Sequence, residues 1–299
     1  MKIRLGLLLP LFLMLLAVGC ADGDDGAAVT GSSTQAGPSP EADGGMHHIH
    51  GLGVTTDGAL HIATHDGMWI SRAGQTAVER YGESRQDVMG FSVVDDRRFL
   101  GSGHPAPEDT ELPPNLGLIE SRDGGRSWRN VSLLGEVDFH VLESAGRFVY
   151  GVDSGTGSLL ASSDRGRTWT QRRLPAPAFG LAIDPRAAQR LVVSTEAGVF
   201  ASTDSGQRWR SLNDAAAGLL AWSRPDALYL VDGDGAVHVS RDGGRAWRKT
   251  GDAGGQPAAL IANEDELYLA LADNLVQRSL DGGRTWRVRA TPGPSGDGG

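Results

Sequence analysis

The 299-residue sequence predicts an all-β fold, a propeller of six four-stranded blades, and three observations carry that reading. The first is the stretch Ser121-Arg-Asp-Gly-Gly-Arg-Ser-Trp128, which returns at Ser162–Trp169, Ser202–Trp209, Ser240–Trp247 and Ser279–Trp286. The second is its spacing. The aspartates Asp123, Asp164, Asp204, Asp242 and Asp281 follow one another at intervals of 41, 40, 38 and 39 residues, close to the period of one propeller blade. The third is the sequence between copies: short alternating apolar runs bounded by Gly, Asp and Pro, with no run of helical period.

Each copy follows a short apolar run such as Gly117-Leu-Ile-Glu120 or Gly198-Val-Phe-Ala201 and precedes another strand-like stretch. The motif is therefore a turn between the third and fourth strands of a blade. Its Asp accepts hydrogen bonds from its own turn, its Gly takes positive φ, and its Trp packs between neighbouring blades. Arg208 and Ala246 stand where the other copies carry Ser or Thr. The five aspartates are read as structural.

Blade 1 is expected to place strands at Ile49–Thr55, Leu60–Thr64, Met68–Arg72 and Thr76–Tyr81. Its turn, Ser71-Arg-Ala-Gly74, lacks both Asp and Trp. Blade 2 is expected at Val88–Val94, Arg98–Ser102, Leu116–Ser121 and Ser127–Leu133. Blades 3 to 6 begin near Asp138, Ala178, Gly218 and Pro257, and the body as a whole spans residues 46–290.

The flanks read differently. Lys2 and Arg4 precede an apolar run from Leu5 to Val18 that is too short to span a bilayer comfortably, and it ends in Ala17-Val-Gly-Cys20. Cys20 is the one cysteine in the chain. Residues 1–19 are thus expected to be a lipoprotein signal peptide, with Cys20 as the acylated mature terminus. Residues 20–45, rich in Gly, Asp, Ser, Ala and Pro, are a flexible linker, and residues 291–299 are a Pro/Gly tail. These features predict an extracytoplasmic protein, lipid-anchored to a bacterial membrane and monomeric. The formal charge of −9 and the lack of a basic patch exclude nucleic acid as a partner.

The eight histidines are unevenly placed: six precede residue 105. In an antiparallel meander the start of the first strand and the end of the second share one mouth of the central channel. His48, His50 and His140 fall at first-strand starts, His65 and His104 at second-strand ends, and Met89 at the first-strand start of blade 2. Clustered imidazoles suit transition metals, and an added thioether favours copper. The five histidines and Met89 are therefore a candidate copper or zinc site, while His47, His61 and His238 are peripheral. The loop Pro105–Asn115, with Glu108, Asp109 and Glu111, lies beside the same mouth as a candidate lid.

The stretches His48-Ile-His-Gly51, Ala63-Thr-His65, Gln86-Asp-Val-Met-Gly-Phe91, Ser102-Gly-His-Pro105 and Asp138-Phe-His140, with the five turns, resemble bacterial Asp-box (BNR) repeat propeller lipoproteins labelled glycosylhydrolase or exo-alpha-sialidase-like. The resemblance implies a sialidase-like fold. It also implies a second reading, a glycoside hydrolase acting on extracellular glycans through carboxylates such as Asp66, Asp87, Asp138 or Asp153. A third is an interaction scaffold for envelope proteins, without catalysis. The chain carries no Arg-Ile-Pro motif, and of its four tyrosines Tyr81 alone falls near the mouth, which argues against sialidase chemistry.

Overall fold

A computed structural model describes residues 46, 48–214 and 217–292. The expected signal peptide, Cys20, the linker, His47 and residues 293–299 of the tail lie outside the described residues. The described chain is all-β, with no helix. It forms six four-stranded sheets.

Blade 1 contains β1 (Ile49–Val54), β2 (Leu60–Thr64), β3 (Gly67–Ser71) and β4 (Glu79–Tyr81). Blade 2 contains β5 (Asp87–Val93), β6 (Phe99–His104), β7 (Leu118–Ser121) and β8 (Arg129–Ser132), and blade 3 contains β9 (Phe139–Ala145), β10 (Phe148–Asp153), β11 (Leu159–Ser162) and β12 (Thr170–Arg172). Blade 4 contains β13 (Ala178–Asp184), β14 (Ala187–Thr195), β15 (Gly198–Ser202) and β16 (Arg210–Asn213). Blade 5 contains β17 (Gly218–Arg224), β18 (Ala227–Asp232), β19 (Ala236–Ser240) and β20 (Arg248–Asp252). Blade 6 contains β21 (Pro257–Asn263), β22 (Glu266–Leu271), β23 (Val276–Ser279) and β24 (Arg287–Ala290).

Every sheet is a consecutive antiparallel meander. The first strands pack in a ring, β1 on β5, β5 on β9, and onward until β21 returns to β1. They wall a central channel. The fold is the six-bladed propeller that the repeat predicts.

The apolar core lies between blades rather than in one central mass. Each turn tryptophan packs at the seam with the preceding blade. Trp128 packs with Ala63 and Met68, Trp169 with Leu100 and Leu118, Trp209 with Leu159, Trp247 with Val192 and Val199, and Trp286 with Val231 and Val237. Trp169 also donates through Nε1 to Ser132 Oγ of blade 2 at 2.9 Å.

The turns before these tryptophans saturate their carboxylates. Asp164 Oδ1 accepts from Ser162 Oγ at 2.8 Å, Arg167 N at 3.0 Å and Thr168 N at 2.9 Å, and Oδ2 accepts from Thr168 Oγ1 at 2.6 Å. These bonds, led by the Thr168 hydroxyl, hold the carboxyl far below the usual range. At Asp204, Arg208 Nε takes the hydroxyl's place at 2.8 Å.

The seam between blades 6 and 1 is closed differently. Met46, Ile49, Leu52 and Trp69 pack with Tyr268, Ala270, Val276 and Ala290. Arg289 of β24, 7% exposed, reaches into the blade 1 turn that lacks an aspartate. Its Nη1 donates to Ser71 Oγ at 2.7 Å and Gln75 O at 2.9 Å. Its Nη2 donates to Gly58 O at 3.0 Å, Ser71 O at 3.1 Å and Arg72 O at 3.4 Å.

Candidate metal centre

The mouth that collects first-strand starts and second-strand ends is built by irregular backbone. His48 has φ +44°, and a register shift between Ile49 and Gly51 follows it. His65 sits at the tip of the tight β2–β3 turn, which Thr64 closes by donating to Asp66 Oδ1 at 2.7 Å and Gly67 O at 2.8 Å. Asp87 is the first residue of β5 and pairs in register with His104, the last of β6.

Three side chains meet there. His65 donates through Nδ1 to Asp87 Oδ2 at 2.8 Å, and His50 Nε2 stands 3.9 Å from Asp87 Oδ1. One donor atom from each of His50, His65 and Asp87 lies within 4.8 Å of the others. The His50 ring meets His65 edge-on at 4.4 Å between centroids, and His48 does so at 5.1 Å. The His48 nitrogens stand outside the 4.8 Å group.

Two atoms in this set are orphaned. His50 Nε2 and Asp87 Oδ1 are both buried and without a hydrogen-bond partner. At 3.9 Å they are too far apart to bond each other. Burial, aided by His65, His140 and His48, lowers the His50 pKa to about 4, so its imidazole is neutral at pH 7. Burial likewise raises Asp87, against the opposing hydrogen bond from His65. Tetrahedral ligands with bonds of about 2.0–2.1 Å sit roughly 3.3 Å apart. Closing His50 and Asp87 onto one ion therefore requires a shift of well under an ångström for that pair.

A second group surrounds Asp138. Its Oδ2 accepts from His140 Nε2 at 2.7 Å and from Ser154 Oγ at 2.9 Å, and His104 Nε2 lies 3.6 Å away. Burial pushes Asp138 up, but the His140 hydrogen bond and charge outweigh it and hold the carboxyl below its usual value. The Asp138 hydrogen bond raises His140 in turn. His104 donates through Nδ1 to Pro114 O at 2.8 Å, which ties it to the base of the 105–115 loop.

The expected set of five histidines and Met89 is therefore two adjacent groups. His48, His50 and His65 gather around Asp87, and His104 and His140 gather around Asp138. The division arises because each carboxylate captures the imidazoles nearest to it. The groups still sense each other electrostatically, His50 through His140 and Asp87 through His104. Met89 is half-buried at the β5 register shift between Val88 and Gly90. Asp87, two residues before it, is the member of the ligand set that the sequence pattern alone did not select as a ligand. The signal was present, since an aspartate opening a first strand occupies the same kind of position as His48 and His140. His61 is buried against Phe99 and Tyr81, and His238 faces Asp232 at 3.3 Å in blade 5.

The other carboxylates read as candidate catalysts are occupied. Asp66 accepts from Thr64, Trp69 and Arg80. Asp153 accepts from Thr156 and from the amides of Asp138 and Gly155.

No protein-family model matches the sequence, and no curated protein matches it. Solved structures do. A GH74 xyloglucanase from Xanthomonas campestris superposes with TM-score 0.55 at 18% identity, over 83% of this chain and 46% of that one. An ancestral GH74 enzyme does so with TM-score 0.54 at 14% identity, over 83% and 39%. YCF48 from Cyanidioschyzon merolae gives TM-score 0.50 at 14% identity, over 84% and 86%. This chain thus spans less than half the length of the GH74 enzymes, and at these identities the likeness is one of propeller fold.

Proposed function

We propose that this chain is a membrane-tethered, extracytoplasmic propeller that binds a divalent transition metal at the His50–His65–Asp87 mouth, zinc in preference to copper. The observation that carries the reading is the facing pair of buried orphans, His50 Nε2 and Asp87 Oδ1. Buried polar atoms without partners are rare in folded proteins, and a cation between these two would satisfy both. Two imidazole nitrogens and a carboxylate oxygen, with a position left for water, are a donor set suited to zinc. Without a thioether in the set, the case for copper weakens. Uptake displaces the proton shared by His65 and Asp87, and His50 needs no deprotonation at pH 7.

The glycoside hydrolase reading has less support. Asp66, Asp87, Asp138 and Asp153 are each engaged by histidines, arginine or their own loop amides. No pair of them stands free on either side of a space for a sugar.

Elemental analysis of the protein purified without a histidine tag tests the metal reading. Near-stoichiometric zinc or copper is expected in the wild type, lost in Asp87→Asn and in the double variant His48→Ala/His50→Ala, and kept in His238→Ala. Metal at trace level in the wild type, or equal metal in all variants, overturns it. Membrane tethering is tested separately: Cys20→Ser should move the protein from the membrane fraction to the soluble one.

A further inference from the structure

The central channel carries a charged residue that the metal site does not use. Glu143 lies on β9, three residues inward from His140. It lines two cavities along the channel, one of about 130 Å³ toward the histidine mouth and one of about 430 Å³ toward the opposite mouth. Counting two residues past the first-strand register shifts, the other blades place Gly53, Ser92, Ala182 and Ile261 at the same tier, and the register of β17 places Ala221 there. These residues are small or apolar, so Glu143 reaches into space that no neighbour fills. One residue nearer the histidine mouth the strands carry Leu52, Phe91, Leu220 and Leu260, and beyond Glu143 the wider cavity is lined by Val54, Val93 and Trp222 together with Ser144 and Asn263.

The Glu143 carboxyl has no hydrogen bond and no ion pair among the described residues. It keeps some surface open to the lumen but sits deep below either mouth. The charged and titratable groups that face it along the channel are His50 and His140 at one end, and at the other Asp184, which is already paired with Arg186 at 2.9 Å. A carboxyl so placed is uncharged until a cation arrives, and burial alone raises its pKa to about 8.

We propose that Glu143 anchors a binding site for a small organic ammonium ion whose apolar substituent fills the wider part of the channel. An anion gains no charge partner from Glu143, whose carboxyl ionises only to meet a cation. A metal ion finds one carboxylate at this tier, since the His/Asp/Glu group able to hold one lies elsewhere among the described residues. An ammonium ion with a hydrocarbon body meets both features at once: its charge pairs with Glu143, and its body leaves water for the partly exposed Val54, Val93 and Ile261 side chains of the wider cavity. On binding, Glu143 loses its proton to solvent as the ammonium takes its place. The inference does not rest on the metal reading, since none of the metal donors takes part.

Calorimetric titration of the full chain with benzylammonium at pH 7, in two buffers of different ionisation enthalpy, tests it. Binding should release about 0.9 proton per ligand, the protonated fraction set by a pKa of about 8. Glu143→Gln mimics the neutral acid. It should keep the fold, lower the affinity at least tenfold and abolish proton release. Benzyl alcohol should bind the wild type at least tenfold more weakly than benzylammonium. Ala221→Leu, which fills the lumen beside an intact Glu143, should also weaken binding. No binding, equal binding by wild type and Glu143→Gln, equal affinity for the alcohol, or binding without proton release would each overturn the proposal.

Discussion

Arg289→Met tests how the ring is held shut. Methionine keeps the apolar stem and removes the guanidinium. Five acceptors then lose their donor: Ser71 Oγ and the carbonyls of Gly58, Ser71, Arg72 and Gln75. Hydrogen bonds to a charged group contribute about 1.5–3 kcal/mol each, so four good ones total roughly 6–12 kcal/mol gross. Burying the guanidinium, which also lowers its pKa, costs several kcal/mol in return. The net loss is about 3 kcal/mol. For a body of this size, roughly 2–4 °C per kcal/mol gives a fall in Tm of about 6–12 °C. Differential scanning calorimetry at pH 7 reads it directly. A Tm within 2 °C of the wild type would show that the apolar contacts of the seam suffice and that Arg289 is dispensable.

Three further outcomes follow from the same contacts. Asp123→Ala removes the acceptor for Ser121 Oγ, Ser127 Oγ and the amides of Arg126 and Ser127, and should cost about 2 kcal/mol in urea titration. An unchanged midpoint would show the turn to be held by its glycines alone. Glu143 is raised from an ordinary carboxyl value to about 8 in the fold, so the wild type loses stability as pH rises from about 4.5 to 8. Glu143→Gln does not, and its advantage should grow by up to about 5 kcal/mol between pH 4.5 and pH 9; an equal advantage at both ends refutes the burial argument. His61 is depressed by burial to about 4, so the wild type should lose about 3 kcal/mol as pH falls from 6.5 to 4. His61→Gln should be spared that loss in acid melts, and parallel pH profiles would count against it.

The blades were legible because their signal is local and repeated. Asp, Gly and Trp recur at a near-constant spacing, and the strands between them alternate. The mouth was legible in outline, since a meander dictates which strand ends meet, and His65 does meet the start of β5. Which atoms face each other was not. Register shifts at Ile49/Gly51 and Val88/Gly90 interrupt the two-residue alternation just where the ligands sit, so spacing cannot say which side a residue takes. Glu143 escaped notice because Val141-Leu-Glu-Ser144 reads as an ordinary half-exposed strand. Only closing the ring makes its outer face a lumen. Arg289 was equally hidden: its partners lie more than two hundred positions earlier, in the turn where Ala73 replaces the usual aspartate.

Because each sheet is made of four consecutive strands, no blade borrows a strand from the far end of the chain. Met46 and Ala290 share one apolar cluster, and Thr291 N donates to Thr76 O at 3.0 Å. The beginning and end of the body are therefore neighbours, and the seam between them is one of six. A short peptide joining them, with a cut in the exposed connection between β12 and β13, would yield a circularly permuted chain with every sheet intact. The six sheets would then survive a change of starting point, and the Arg289 seam would become an internal joint of the chain.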